Sequence, residues 1–183
     1  MFARPFPALK SIWVMCIALF LAGCASPATP APTASFRASY SDPFAYCAAT
    51  GTIDTPDARY SGPAMPDVIV QAMVKQQMVS ADAPADFQRH AVWRCMDKRV
   101  WACQFGANIP CQEKADTSQV PTSALDDFCK ANPVVDGVPT DVTGQATVYE
   151  WNCKAGKAEP GRQLFTVDPR GYLAEFWVEL TPP

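Results

Sequence analysis

The residues of this 183-residue chain that could do chemistry are its cysteines, one histidine and a few grouped carboxylates. Cys47, Cys95, Cys103, Cys111, Cys129 and Cys153 form an even set with no C-x-x-C pair among them. In an oxidising compartment such a set reads as a framework of three disulfides, with fifteen connectivities open. A zinc site would need four thiolates kept reduced, because His90 is the sole histidine, so no metal is expected. His90 is also the only base available to a serine or cysteine nucleophile, and G-x-S-x-G is absent. Asp126 and Asp127 are adjacent, and neighbouring helix positions diverge by about 100°, so they cannot flank one substrate bond. No P-loop, dinucleotide fingerprint or calcium loop occurs, and no cofactor is expected.

What remains is a surface. Glu150, Glu175 and Glu179 fall on expected C-terminal strands, and alternation sets Glu175, Trp177 and Glu179 on one face. An indole between two carboxylates suits a sugar or a cationic group, so these three are the candidate binding surface. The catalytic set is empty. A non-catalytic binding or envelope-accessory module is the expected function, and a small hydrolase acting on envelope glycan or peptide is the alternative.

The elements that would position these groups follow from local pattern. Asp42-Pro43 opens a helix that Gly51 stops, and Val68, Ile69, Ala72 and Met73 space a second helix from Pro66 to Met78. From Gln88 to Gly106 period-two alternation predicts a hairpin turning at Asp97-Lys98. Both its faces are apolar, which places it inside a sheet. A third helix is predicted over Pro121–Lys130. Strands are predicted over 145–153, 162–167 and 172–180, with a turn at Asp168-Pro169-Arg170-Gly171. In the last strand Tyr172, Ala174, Phe176, Val178 and Leu180 are the expected core face. Trp93-x-Cys95 is echoed by Trp151-x-Cys153, each a tryptophan beside a cysteine on one strand face. The expected fold class is α+β: an antiparallel sheet of about five strands, two or three covering helices, and disulfide staples.

The N-terminus carries an address. Arg4 and Lys10 precede an apolar run from Ile12 to Phe20, too short to cross a bilayer, and Leu21-Ala22-Gly23-Cys24 ends it. That segment resembles the lipobox of bacterial lipoproteins. The resemblance implies cleavage before Cys24 and acylation of that cysteine, giving a membrane partner through the lipid anchor. Ala25, where an aspartate would signal inner-membrane retention, implies the outer membrane. The domain limits are then 1–23 for the signal peptide, 24–42 for a Pro/Ala/Ser/Thr-rich tether and 43–183 for one globular domain. The segment from Trp93 to Cys111 is similar to bacterial envelope proteins of unassigned role.

Loss of Arg4 and Lys10 leaves 13 basic residues against 18 acidic ones. With no basic stripe, nucleic acid is excluded as a partner. An envelope protein or a glycan is the expected one, and the localisation is the bacterial envelope with the domain in the periplasm.

Overall fold

The computed structural model describes residues 38–183; the signal segment, Cys24 and most of the tether lie outside them. The fold takes hold at Tyr40, which bridges Tyr60 in parallel, and Asp42 then caps helix α1 (Pro43–Thr50) by accepting the Ala45 amide at 2.7 Å. Helix α2 (Asp67–Lys75) buries Ile69, Val70, Ala72 and Met73, the stripe its spacing requires. It stops earlier than Met78, where Gln77 takes φ 60°. A one-turn helix α3 (Ala85–Gln88) precedes strands β1 (Ala91–Met96) and β2 (Arg99–Gln104), joined at Asp97-Lys98 with φ 52° and 66°. Two left-handed residues are what a two-residue hairpin turn demands.

Helix α4 (Ser123–Ala131) is capped by the Thr122 hydroxyl on the Leu125 amide. Strand β3 (Val134–Val135), the short helix α5 (Thr140–Thr143), strand β4 (Tyr149–Lys154) and strand β5 (Lys157–Gln163) come next. The chain ends in a 3-10 turn (Ala174–Phe176) and strand β6 (Val178–Leu180). The class is α+β. In place of one sheet there are two antiparallel sheets of three strands, ordered β1-β2-β6 and β3-β4-β5. Three disulfides join Cys47 to Cys95, Cys103 to Cys111 and Cys129 to Cys153.

Two expectations are corrected with consequences for the site. The β1–β2 hairpin is not interior, because β1 is the edge of its sheet. Its two apolar faces come from packing on both sides. Trp93 and Cys95 meet Tyr46, Ile69 and Met73, while Val92 meets the layer of Cys103, Cys111, Tyr172 and Trp177. The segment 172–180 is not one strand either. The 3-10 turn shifts its alternation, so Tyr172, Leu173, Trp177 and Leu180 are buried and Val178 is exposed.

Candidate functional site

The echo at Trp93 and Trp151 extends to a whole helix–hairpin unit, present twice. In the first unit Cys47 of α1 is bonded to Cys95 of β1; in the second, Cys129 of α4 is bonded to Cys153 of β4. An aromatic residue precedes each helix cysteine, Tyr46 and Phe128, and Ile53-Asp54 and Val135-Asp136 come after it at equal distance. Ile53 bridges Cys95 antiparallel, as Val135 bridges Cys153. The hairpin turns match too. The Lys98 amide donates to the Gly51 carbonyl at 2.9 Å, and the Gly156 amide to the Pro133 carbonyl at 3.1 Å.

Just beyond that bridge the two units diverge. In an antiparallel pair the main-chain groups of successive residues alternate between the two edges of the strand. Cys95 exchanges both its bonds with Ile53, so Trp93, two residues earlier, also faces outward from the sheet. In the second unit the matching carbonyl, of Trp151, is taken by the Val138 amide at 2.7 Å. Pro56 stands where Val138 would, and proline has no N–H to give. Neither the N–H nor the C=O of Trp93 finds a backbone or side-chain partner among the described residues.

Each unit has a hollow at this place. The one at the first unit measures about 770 Å³, and Thr55, Pro56 and Asp57 face Ala91, Val92 and Trp93 across it. The second measures about 490 Å³, with Gly137, Val138 and Pro139 against Tyr149, Glu150 and Trp151. In the larger cleft, Tyr60, Ala64 and Met65 form one side wall, and Cys111, Gln112, Tyr172 and Trp177 form the other. Trp93 is fixed by donating its indole N–H to the Ala64 carbonyl at 2.9 Å and by edge-on packing with Tyr60 at 4.9 Å.

Behind the second wall lies Arg94, wholly buried and ion-paired with Asp168. Its guanidinium stacks 3.9 Å from the Trp177 ring centre and 4.5 Å from that of Tyr172. Asp168 also accepts the amides of Arg170 and Tyr172 at 2.8 and 3.0 Å. Burial pushes the Asp168 carboxyl up, but the Tyr172 amide, Arg94 and the Arg170 amide outweigh it and hold the group below its ordinary value. Arg94 and its aromatic partners thus fix the wall from the rear.

Every charge in the cleft lining is already matched. Asp54 binds Arg170 through two bonds of 2.9 and 3.0 Å and Lys114 at 3.0 Å, and the Arg170 guanidinium leads in lowering its carboxyl to about 2. Asp57 is paired with Arg59 and Arg89 with Asp67. The cleft is therefore an aromatic and apolar slot whose lining charges are each ion-paired, with one stretch of strand edge left without partners.

The three residues read as a binding surface do not share the one exposed strand face expected of them. Glu175 lies in the 3-10 turn and accepts both the amide and hydroxyl of Thr166 at 2.8 Å, which hold its carboxyl low against burial. Glu179 lies in β6, paired with Arg99 at 2.7 Å, and Trp177 between them is buried, only 6 % exposed. The guanidinium of Arg94 is the reason: it draws the indole inward, and the chain makes a 3-10 turn to deliver it. Trp177 does reach the cleft, as a wall. Glu150 belongs to the other sheet and faces Arg162 at 3.5 Å.

His90 packs on Phe105 at 4.9 Å, and no carboxylate or hydroxyl bonds its ring among the described residues. Asp127 pairs with Lys130 on the exposed face of α4. No cluster of three metal-ligating side chains occurs among the described residues, nor a helix long and apolar enough to cross a membrane. Pro56 and the edge of Trp93 escaped sequence reading. The signal for them was the alignment of Tyr46-Cys47 with Phe128-Cys129, which sets proline against valine. Searched against known proteins, the chain matches no family model, no curated protein and no solved structure.

Proposed function

We propose that this chain is a lipid-anchored protein of the bacterial envelope, held at the outer membrane through Cys24, whose globular domain is a non-catalytic binding module facing the periplasm. The address is supported by the run Leu21-Ala22-Gly23-Cys24 after its short apolar segment. The single observation that carries the binding reading is the cleft of about 770 Å³ at Ala91–Trp93. It combines concavity, aromatic walls and unspent backbone hydrogen bonds, the usual make-up of a recognition site. A disulfide on either side, Cys47–Cys95 and Cys103–Cys111, limits how far its walls can move. Its partner is an envelope protein or glycan.

The test places a photo-crosslinking amino acid at Gln112, on the cleft rim, and as a control at Glu159 on exposed β5, in cells carrying the full chain. One envelope species should be captured from Gln112, lost when Thr55→Trp fills the cleft, and none from Glu159. Equal capture from both positions would contradict it. Cys24→Ser is expected to move the protein out of the membrane fraction.

A further inference from the structure

We infer that the open edge of β1 takes an extended, uncharged peptide segment of a partner protein as an additional strand along Ala91–Trp93, a mode of recognition that rests on the binding-module reading of the same cleft. The chemistry is that of the backbone. The outward N–H and C=O of Trp93 have no partner among the described residues, and the Ala91 carbonyl faces the same way. A strand edge with unpaired N–H and C=O groups is a ready template for pairing with another extended chain. Along the same strand Cys95 is satisfied by Ile53, so the edge is filled up to the point where Pro56 interrupts it.

The second unit supplies a native example of what fills such an edge. There an amide of extended chain, Val138, meets the Trp151 carbonyl while its own side chain is buried beside Trp151, Leu125 and Cys129. A peptide amide delivered to the Trp93 carbonyl repeats that contact. Side chains of an added strand alternate between its two faces. One set meets Tyr60, Ala64 and Met65 on the side where Trp93 points; the other meets Gln112, Tyr172 and Trp177 on the side where Val92 points. Three edge residues at about 3.3 Å each engage three or four residues of ligand.

Charge decides the ligand's composition. Asp54, Asp57 and Arg89 each have a partner within the protein, so a charged peptide residue would have to break an existing pair to gain one. A proline-rich segment has no amides to offer at the edge. The fitting ligand is a strand of small, β-branched or aromatic residues.

The probe is an array of synthetic heptapeptides built from Gly, Ala, Val, Ile, Thr, Asn and Tyr, screened against the mature protein with its disulfides intact. The tightest binder is remade with one N-methyl group at each position in turn. We expect methylation at one or two alternate positions to weaken binding about tenfold, the worth of one hydrogen bond, and methylation between them to change little. Thr55→Trp is expected to abolish binding, and the Trp93 amide should exchange its hydrogen more slowly with peptide bound. Tolerance of methylation at every position, or equal binding by peptides carrying Asp or Lys, would overturn the strand. Trp93 exchange already slow in the free protein would also overturn it, since the chain's own residues would then occupy the edge. Soluble glycan bound in the cleft with no peptide bound would overturn the strand and leave the binding module standing. Failure of both probes together with an empty crosslink at Gln112 would remove both.

Discussion

The helix–hairpin unit built on Cys47 and Cys95 and the one built on Cys129 and Cys153 share a staple, a two-residue turn, a W-x-C strand and a short antiparallel bridge. They differ at the third residue past the bridge and at the residue after the tryptophan. In the second unit Val138 closes onto Trp151, and Asn152 holds the Gly137 amide at 2.9 Å, so the strand spends its bonds internally. In the first, Pro56 leaves Trp93 open, and Arg94 replaces asparagine with a buried charge that organises Asp168, Tyr172 and Trp177 into a wall. One scaffold thus spends its strand-edge bonds in one copy and leaves them unspent in the other. The lesson is that where a valine amide meets the strand edge in one unit, a proline at the matching position of the other has no N–H to give.

The largest effect that would sharpen this contrast comes from the two positions after the tryptophans. Asp168→Ala strands the buried Arg94 charge and should cost about 3–5 kcal/mol, a fall in Tm on the order of 10 °C. Asn152→Ala, which removes a neutral bond at a half-buried site, should cost only about 1 kcal/mol. Equal losses, measured by urea denaturation, would break the distinction between the units. Val138→Pro makes the second unit resemble the first. It leaves the Trp151 carbonyl unmet and should cost about 1–3 kcal/mol. The reverse change, Pro56→Ala, returns an N–H worth about 0.5–1.5 kcal/mol at the matching position and loosens the unfolded chain by about 0.4–1 kcal/mol, so the two nearly cancel.

Acid should distinguish the units as well. Asp168 and Asp54 both have folded-state values below the ordinary 3.8. A depressed carboxyl contributes stability that is complete above its unfolded value and lost as pH falls through its folded one. For Asp54 that window runs from 3.8 down to about 2. Stability should therefore hold to about pH 4 and decline below it, and Asp168→Asn should flatten the decline. An unchanged acid profile in that variant, followed by thermal melts, would remove Asp168 from the account.

Much of the fold was legible because it obeys local rules. The α1 cap at Asp42, the Asp97-Lys98 turn, the turn at Asp168–Gly171 and the use of six cysteines as three bridges were all present in residue types. Strand β5 was not, because Lys157-Ala-Glu-Pro-Gly-Arg-Gln163 has the composition of a loop. It is a strand because β4 supplies its bonds, and Pro160 is tolerated on an exposed edge. The last segment misled because alternation assumes continuous extension, whereas a buried guanidinium elsewhere in the chain pulls Trp177 inward. The site was legible only to a degree. Trp177 was marked for the wrong face, and the apolar faces of β1 were read as bonded edges, although burial of side chains and pairing of main chain are separate matters.

The most direct measurement is amide hydrogen exchange of the free protein at residue resolution, comparing Val138 with Trp93. Val138, donating to Trp151 in the closed unit, should be protected on the order of a thousandfold more than Trp93 on the open edge of the first. Matching protection at the two amides would mean that both edges are filled, and the contrast between the units would fall.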